Sequence, residues 1–319
     1  MIFHRELAMV AVCAALAGCG AKADGDSAAP VSTAAATASG QAGDDALPAE
    51  KSGGFDGKRA FAHVAKQVGF GPRPSGSAAI GQLQEYIQSE LASYGCKVET
   101  DSFTADTPAG RLPMKNIVAK IPGDKPGIIM LATHYDTKRL ENFVGADDGA
   151  SSTAVMLELA RLLCPRHGAY QVWITFFDGE EAVKFVWQDP DNRYGSRQMA
   201  AKLAMSGELP KIKAVLLADM VGSRNLRFRR EADSTKALTD LIWTTAAQLG
   251  YSNVFVNESL PTEDDHIIFL KRGVPAVDVI DFDIPYWHTV EDTLDKVSAK
   301  SVAITGHVFL ESVKQLQSK

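Results

Sequence analysis

Histidine and carboxylate side chains follow several apolar segments of this sequence, at the points where strands are predicted to end. In chain order they are His134 and Asp136, then Asp178, Glu180 and Glu181, then Asp219, then Asp281, Asp283 and His288, with Asp147 and Asp148 just before the helix that follows the first strand. Two imidazoles with several carboxylates form the ligand set of catalytic zinc, whereas carboxylates alone favour magnesium or calcium. The sequence therefore predicts a site for zinc, or a neighbouring transition metal.

The adjacent acids Glu180 and Glu181 suggest a division of roles within this site. Neighbouring residues just past a strand can point in different directions. One carboxylate can then bind a metal ion while the other exchanges protons with a substrate as a general base.

The segments around these residues alternate between strand and helix patterns. Strands are predicted from short apolar runs at 97–103, 115–120, 127–133, 171–177, 213–218, 253–256 and 275–280. Helices are predicted at 55–68, 77–94, 151–163, 195–205, 234–249, 265–271 and 298–316, with a Gly- and Pro-rich loop at 71–76. This order predicts an α/β fold, a single three-layer α/β/α domain with a central, mostly parallel mixed sheet. Such sheets bind ligands beyond the carboxyl ends of their strands, where the histidines and acids stand.

The amino terminus predicts export and lipid attachment. The apolar run at 7–17 is too short to span a bilayer and has the character of a signal-peptide core, so residues 1–18 are predicted to be a lipoprotein signal peptide. It ends in a run that resembles a bacterial lipobox, whose cysteine, here Cys19, is lipidated; an ordinary signal peptide is the alternative. Gly20 stands where a retention-type aspartate could have stood, so the resemblance implies the outer membrane, facing the periplasm.

Composition divides the rest of the chain into a tether and a folded part. Residues 19–54 contain mainly Ala, Gly, Ser, Asp and Thr, so they cannot bury enough apolar surface to order themselves and are predicted to be a disordered tether. Residues 55–319 are predicted to be the catalytic domain, acting as a monomer. The net charge of -6 argues against nucleic acid as a partner, and the basic run Arg227, Arg229 and Arg230 is expected to be an exposed strand edge.

The predicted domain contains the separated cysteines Cys96 and Cys164. Their spacing alone cannot settle whether they pair, and we expect buried free thiols. The histidines outside the predicted metal site are expected to be structural: His63, His167, His266 and His307.

Five short motifs resemble the metal-site motifs of the zinc aminopeptidases and of their relatives, the zinc-dependent glutaminyl cyclases. They are His134-Tyr135-Asp136, Gly145-Ala146-Asp147-Asp148, Asp178-Gly179-Glu180-Glu181, Asp219-Met220 and Trp287-His288-Thr289. The resemblance runs from about Phe55 to the carboxyl terminus and implies an aminopeptidase-like fold. All five residues that bind two zinc ions in the aminopeptidases are present: His134, Asp148, Glu181, Asp219 and His288.

Further stretches resemble the glutaminyl cyclases in particular, at 143–146, 176–182, 194–197, 264–267, 272–275 and 287–289. The resemblance implies a glutaminyl-peptide cyclotransferase, which converts the N-terminal glutamine of peptides and proteins to pyroglutamate and releases ammonia. It implies one zinc ion on Asp148, Glu181 and His288. His134 and Asp219 are then a possible second metal site or groups that support the first.

The cyclase resemblance also implies roles for the residues around the metal. Glu180 is the general acid and base, and Asp264 pairs with Asp219 in catalysis. Trp187, Trp287 and Glu263 bind the substrate.

Two alternatives remain open from the sequence. In a zinc aminopeptidase, Glu180 would deprotonate a zinc-bound water, and His134 with Asp219 would hold a second zinc ion. In a lipid-anchored binding protein the fold would act without catalysis, but such a protein does not need Glu180.

The sequence departs from the cyclases around the predicted pocket. Vertebrate cyclases have a disulfide near the metal loop, and the matching positions here are Thr133 and Thr153. The stretch from Glu181 to Trp187 is one residue longer, and the loop at 281–286 one residue shorter. Both stretches flank the pocket, so they affect the expected reach of the substrate more than the metal site.

Overall fold

The central element of the fold is a six-stranded mixed sheet with the order β1-β2-β4-β3-β5-β8. A computed structural model describes residues 45–318. The strands of the sheet are β1 (Lys97–Thr107), β2 (Gly110–Ile121), β3 (Gly123–His134), β4 (Gly168–Phe177), β5 (Ile212–Asp219) and β8 (Ala276–Ile280). The β4-β3, β3-β5 and β5-β8 pairs are parallel, and β1-β2 and β2-β4 are antiparallel. The predicted mostly parallel mixed sheet is confirmed.

Helices cover both faces of this sheet, which confirms the three-layer prediction. They are α1 (Gly57–Val68), α2 (Ala78–Ser93), α3 (Ala150–Leu163), α4 (Tyr194–Met205), α5 (Lys236–Gln248), α6 (Asp265–Leu270) and α7 (Ala299–Gln317). In β3, Ile129 and Leu131 join the core under α1, α2, α3, α5 and α7, while Ile128, Met130 and Ala132 join the core under α4 and α6. This alternation explains why β3 reads as a continuous apolar run.

A second sheet consists of two parallel strands, β6 (Phe228–Glu231) and β7 (Phe255–Leu260). The segment predicted as a strand at 253–256 therefore pairs with β6 and not within the main sheet. Arg229 and Arg230 lie in β6, where they form ion pairs with Asp283 and Asp240. The basic run is thus balanced by acids, but Arg227 precedes the strand and all three arginines are half-buried, so the expected exposed strand edge is only partly confirmed.

The segment before α1 differs from its prediction. Residues 45–54 fall in the predicted tether, yet Ala49–Ser52 form a 3-10 helix. Ser298 donates its hydroxyl to Asp45 at 2.6 Å, at the start of α7. The predicted signal peptide, Cys19 and the rest of the tether lie outside the described residues. Within residues 45–318, no helix has the length and apolar character to cross a membrane.

The expectation of free thiols was wrong, because Cys96 and Cys164 form a disulfide. Their Cα atoms are 5.0 Å apart, although 68 positions separate them in sequence. Cys96 follows α2 and Cys164 caps α3, and the packing of these helices on one face of the sheet brings their carboxyl-terminal ends together. Sequence spacing contains no information on this approach.

We predict that Cys96→Ser/Cys164→Ser lowers the free energy of unfolding by about 4 kcal/mol, because the crosslink closes a long loop in the unfolded chain. Urea unfolding followed by circular dichroism measures the change. Reduction of the wild-type protein should produce the same loss and leave the double variant unaffected. An unchanged unfolding midpoint in the double variant would contradict the prediction.

Candidate metal-dependent active site

Four parallel strands deliver the predicted site residues to one edge of the sheet. His134 ends β3 in register with Phe177 of β4, and Asp219 ends β5 in register with Ile280 of β8. A cavity of about 360 Å³ opens at this edge. Its walls include the predicted metal, proton-transfer and substrate residues Asp148, Glu180, Glu181, Trp187, Asp219, Glu263, Asp264, Trp287 and His288. The structure thus brings together groups from separate loops.

Asp148, Glu181 and His288 form a compact cluster of candidate metal ligands. One ligand atom from each residue lies within 4.8 Å of the other two. His288 Nε2 is 3.3 Å from Asp148 Oδ2 and 3.1 Å from Glu181 Oε1. The Asp148 Oδ2 and Glu181 Oε2 atoms are buried without a hydrogen-bond partner. An imidazole and two buried carboxylates, each with an oxygen that lacks a hydrogen-bond partner, fit a divalent cation well.

The electrostatics of this cluster also favour a cation. Burial lowers the pKa of His288, but hydrogen bonds and charge from Asp148 and Glu181 outweigh it and raise that pKa to about 10. Burial raises the pKa of Asp148, yet hydrogen bonds from His134 and His288 bring it below its usual range. The cluster therefore attracts positive charge, and a bound metal ion would take the place of the protons.

The backbone around these ligands is held by a second carboxylate. Asp292 accepts hydrogen bonds from the backbone N–H groups of Asp147 at 2.8 Å and Asp148 at 3.0 Å. His288 has a φ of 51°, in the left-handed region that is unfavourable for a residue with a side chain. Its surroundings must hold this conformation, which is typical of functional sites.

Aromatic rings and one lysine fix the ligands from outside the cluster. The Trp287 ring stacks on His288 with centroids 4.0 Å apart, and Phe143 meets the same imidazole edge-on at 5.9 Å. The buried Lys138 places its Nζ 3.5 Å from Glu181 Oε2. These contacts limit the orientations that His288 and Glu181 can adopt.

Thr133 and Thr153 stabilise the backbone at the end of β3. Both hydroxyls donate to the carbonyl of His134, at 2.9 and 3.0 Å. Thr133 is also 2.7 Å from Ser152. Hydrogen bonds therefore connect β3 to α3 at this point.

A second cluster of candidate ligands shares Asp148 with the first and adds His134 and Asp219. His134 Nε2 lies 3.0 Å from Asp219 Oδ1 and 3.4 Å from Asp148 Oδ1. Burial and then the charge of Asp219 raise the pKa of Asp264 to about 6. Asp219 forms a hydrogen bond with His134. Asp264 Oδ2 is buried and has no hydrogen-bond partner among the described residues. Asp219 and Asp264 are coupled by charge, and one proton on either would relieve their repulsion.

Glu180 is buried next to the metal cluster and outside it. Its backbone N–H donates to Asp136 Oδ1 at 3.1 Å, which fixes the start of the loop. Burial raises the pKa of its carboxyl well above the usual range, His134 opposes this shift, and the charges of Asp264 and Glu181 add to it. A carboxyl with a raised pKa is suited to take up and release a proton near neutral pH.

His266 has carboxylate partners that the sequence analysis did not foresee. Its Nε2 lies 3.0 Å from Glu231 Oε2 and its Nδ1 lies 3.8 Å from Asp278 Oδ2. All three side chains are buried. Glu231 belongs to the small sheet, whose pairing the sequence did not reveal, so this contact had no sequence signal.

Sequence reasoning also missed several residues of the site and its surroundings, namely Lys138, Asp292, Phe185, Phe282 and Arg193. Lys138 and Asp292 each stand four positions after a predicted site histidine, which was an available signal. Phe185 and Phe282 line the cavity from the segments 181–187 and 281–286.

The geometry of this site agrees with comparisons to known proteins. The chain matches Peptidase family M28 across residues 116–313. This chain belongs to peptidase family M28. It is 33% identical over 282 residues to the glutaminyl-peptide cyclotransferase of Boiga irregularis, covering 75% of this chain and 76% of the relative.

Solved structures of both cyclases and exopeptidases are similar to this M28 member. It superposes on an Acidobacteriales bacterium glutaminyl cyclase with a TM-score of 0.78 and 42% identity, covering 83% of this chain and 95% of the other. A Zn-dependent exopeptidase from Parabacteroides distasonis has a TM-score of 0.73 and 27% identity, with 81% and 97% covered. The fold and family are therefore shared by two kinds of enzyme.

Metal content will separate the two candidate ligand clusters. We expect about one metal equivalent per chain in the wild type and in His134→Ala, because a proton shared between Asp219 and Asp264 would weaken Asp219 as a ligand for a second ion. Asp148→Ala should lose the metal, since Asp148 belongs to both clusters. Mass spectrometry of the metals on dialysed protein gives the count, and circular dichroism controls for folding. A wild-type content near two that falls to one in His134→Ala would contradict the single-metal expectation.

Proposed function

We propose that this chain is a glutaminyl-peptide cyclotransferase, a zinc-dependent acyltransferase that converts N-terminal glutamine to pyroglutamate and releases ammonia. The observation that carries the proposal is the buried carboxyl of Glu180, which lines the same cavity as the candidate metal cluster, Asp264, Trp187 and Trp287. Among its relatives, the cyclase from an Acidobacteriales bacterium is 42% identical, against 27% for the exopeptidase. The similarity supports the cyclase reading over the peptidase one.

The reaction needs a folded substrate more than a strong nucleophile. The free amine of the substrate attacks its own side-chain amide carbon, so the nucleophile is already tethered, and the enzyme must hold the side chain bent back. The cavity is suited to this, since Trp187 provides an apolar wall and Trp287 closes the side next to His288. When bound by Asp148, Glu181 and His288, zinc supplies Lewis acidity toward the amide carbonyl.

Proton transfer is assigned to Glu180. As the new C–N bond forms, its carboxylate takes one proton from the amine and then delivers it to the departing amide nitrogen, which leaves as ammonia. Asp264, supported by Asp219, accepts a hydrogen bond from that nitrogen. The raised pKa values of Glu180 and Asp264 support these roles, because burial makes both carboxyls easier to protonate than free carboxyls, with the pKa of Asp264 at about 6.

A zinc aminopeptidase is the second candidate. It is favoured by the His134, Asp148 and Asp219 cluster, which could hold a second ion. In that enzyme the same Glu180 would deprotonate a water for attack on the first peptide bond. The products differ, because a peptidase releases an amino acid and a cyclase releases ammonia.

The products and one variant test the proposal together. A glutamine-initiated peptide should lose the mass of ammonia, and a leucine-initiated peptide should remain intact, as measured by mass spectrometry. Glu180→Gln should keep the metal and lose turnover by about 100-fold or more, because a positioned acid and base contributes that much. Release of leucine by the wild type would establish the peptidase instead. Full activity in Glu180→Gln would remove Glu180 from the mechanism.

We also propose that the protein is exported and lipid-anchored at Cys19, facing the periplasm from the outer membrane. The disulfide between Cys96 and Cys164 supports an oxidising compartment, since such bonds are rare in the reducing cytosol. The lipobox-like run and the small, polar composition that follows it support the anchor. Monomeric action stays a prediction.

Cys19→Ala should move the protein from the membrane fraction to the soluble periplasmic fraction, because the lipidated side chain is removed. Fractionation followed by immunoblotting measures the distribution. Ser27→Ala, in the same segment, serves as a matched control and should remain with the membrane. An unchanged membrane fraction in Cys19→Ala would reject the anchor.

A further inference from the structure

Arg193 is a fully buried cation beside the catalytic cavity, and no role has been given to it so far. Its exposed fraction is 0%. It precedes α4 with a φ of 50°, and its backbone N–H donates to the carbonyl of Glu180 at 2.7 Å. The backbone of Arg193 is therefore fixed against the loop that carries the proposed acid and base.

The Arg193 guanidinium contacts two loops that wall the cavity. Its centre lies 5.5 Å from the ring of Trp187, within the range of a cation–π contact. Its Nη2 lies 2.6 Å from Asp189 Oδ1 and 3.7 Å from Glu263 Oε2. Trp187 and Glu263 line the cavity from segments that are far apart in sequence. The guanidinium of Arg193 contacts both residues.

Burying this cation is costly, and its hydrogen bonds are incomplete. Nε donates to Asn192 Oδ1 at 3.0 Å, but Nη1 is buried without a partner. A buried arginine is stabilised when its charge is paired and its flat face is stacked. Here the aromatic contact comes from Trp187, and the charge is paired by Asp189 at 2.6 Å and more distantly by Glu263 at 3.7 Å, so the guanidinium links two walls of the cavity.

We propose that Arg193 is a positioning residue that sets the spacing between Trp187 and Glu263, and thereby the grip of the cavity on the glutamine side chain. Trp187 lies in a stretch without regular secondary structure. Few backbone hydrogen bonds therefore fix the segment that carries its ring. Arg193 acts through these walls and does not touch the reacting atoms. The inference rests on the proposed function and specifies how its substrate pocket is held.

A matched pair of arginine variants tests this role. Arg197 lies in α4, the helix that Arg193 precedes, and shares Asp189 with Arg193, at 3.4 Å. Among the described residues, the recorded contacts of its side chain are to Asp189, Pro190 and Tyr194, and none is to Trp187 or Glu263. Arg197→Met therefore removes a neighbouring cation without disturbing the cavity walls.

Ammonia release from a glutamine-initiated dipeptide gives kcat and KM for each variant. In Arg193→Met we expect KM to rise about 10-fold with kcat within about 3-fold, since the reacting groups stay in place. Arg193→Lys should be intermediate, because it keeps the charge and loses the flat fork. Arg197→Met should match the wild type within about 2-fold in both constants.

A double-variant cycle shows whether the effect passes through Trp187. In a Trp187→Ala background, Arg193→Met should change KM much less than it does in the wild type. A wild-type KM in Arg193→Met, a loss confined to kcat, or equal effects of Arg193→Met and Arg197→Met would overturn the inference. If circular dichroism shows that Arg193→Met does not fold, the decision passes to Arg193→Lys, where an unchanged KM overturns it. Failure of the wild type to release ammonia would instead reject the proposed function.

Discussion

The burial of acidic side chains at one edge of the sheet is the constraint on which the rest of the site depends. Removing a carboxylate from water is costly unless it is paired, hydrogen-bonded or bound to a metal ion. Asp148, Glu181 and Asp219 are all buried and close together, and the imidazoles of His134 and His288 offset part of their charge. The unsatisfied oxygens that remain make the cluster a candidate metal site.

Other charged groups compensate for the same burial from further away. Arg73 is fully buried and donates to the carbonyls of Val144 and Gly145, in the loop that leads to the metal ligands. Burial lowers the pKa of this guanidinium to about 10, and the charges of Asp292 and Asp148 oppose the shift. Arg73 thus provides positive charge and also positions the loop backbone.

Rigid loops are the second requirement of this arrangement. The ligands come from different connections, and a metal ion tolerates little change in their separation. The left-handed φ of 51° at His288 can persist because Trp287 and Phe143 pack against its ring, and Asp292 holds the segment of Asp148. The hydrophobic cores on both faces of the sheet stabilise the fold and so maintain this strained backbone conformation.

One scaffold can therefore serve two chemistries, and local charges decide between them. The pairs His134–Asp219 and Asp219–Asp264 share one carboxylate. If Asp219 shares a proton with Asp264, a second metal ion is disfavoured and a free amine can be bound nearby. If Asp219 is a ligand with His134, a second ion fits. The choice depends on protonation in a buried group, which follows from its surroundings.

The sequence by itself determined the order of elements and the edge at which chemistry occurs. Apolar runs such as 127–133 and 171–177 specify buried strands, and a polar group just past each run, such as His134 or Asp219, must lie at the shared edge of a parallel sheet. Tertiary structure alone decided which distant groups meet. The Cys96–Cys164 bond and the contact of Arg193 with Glu263 have no period or motif, because they arise where separately folded segments pack together.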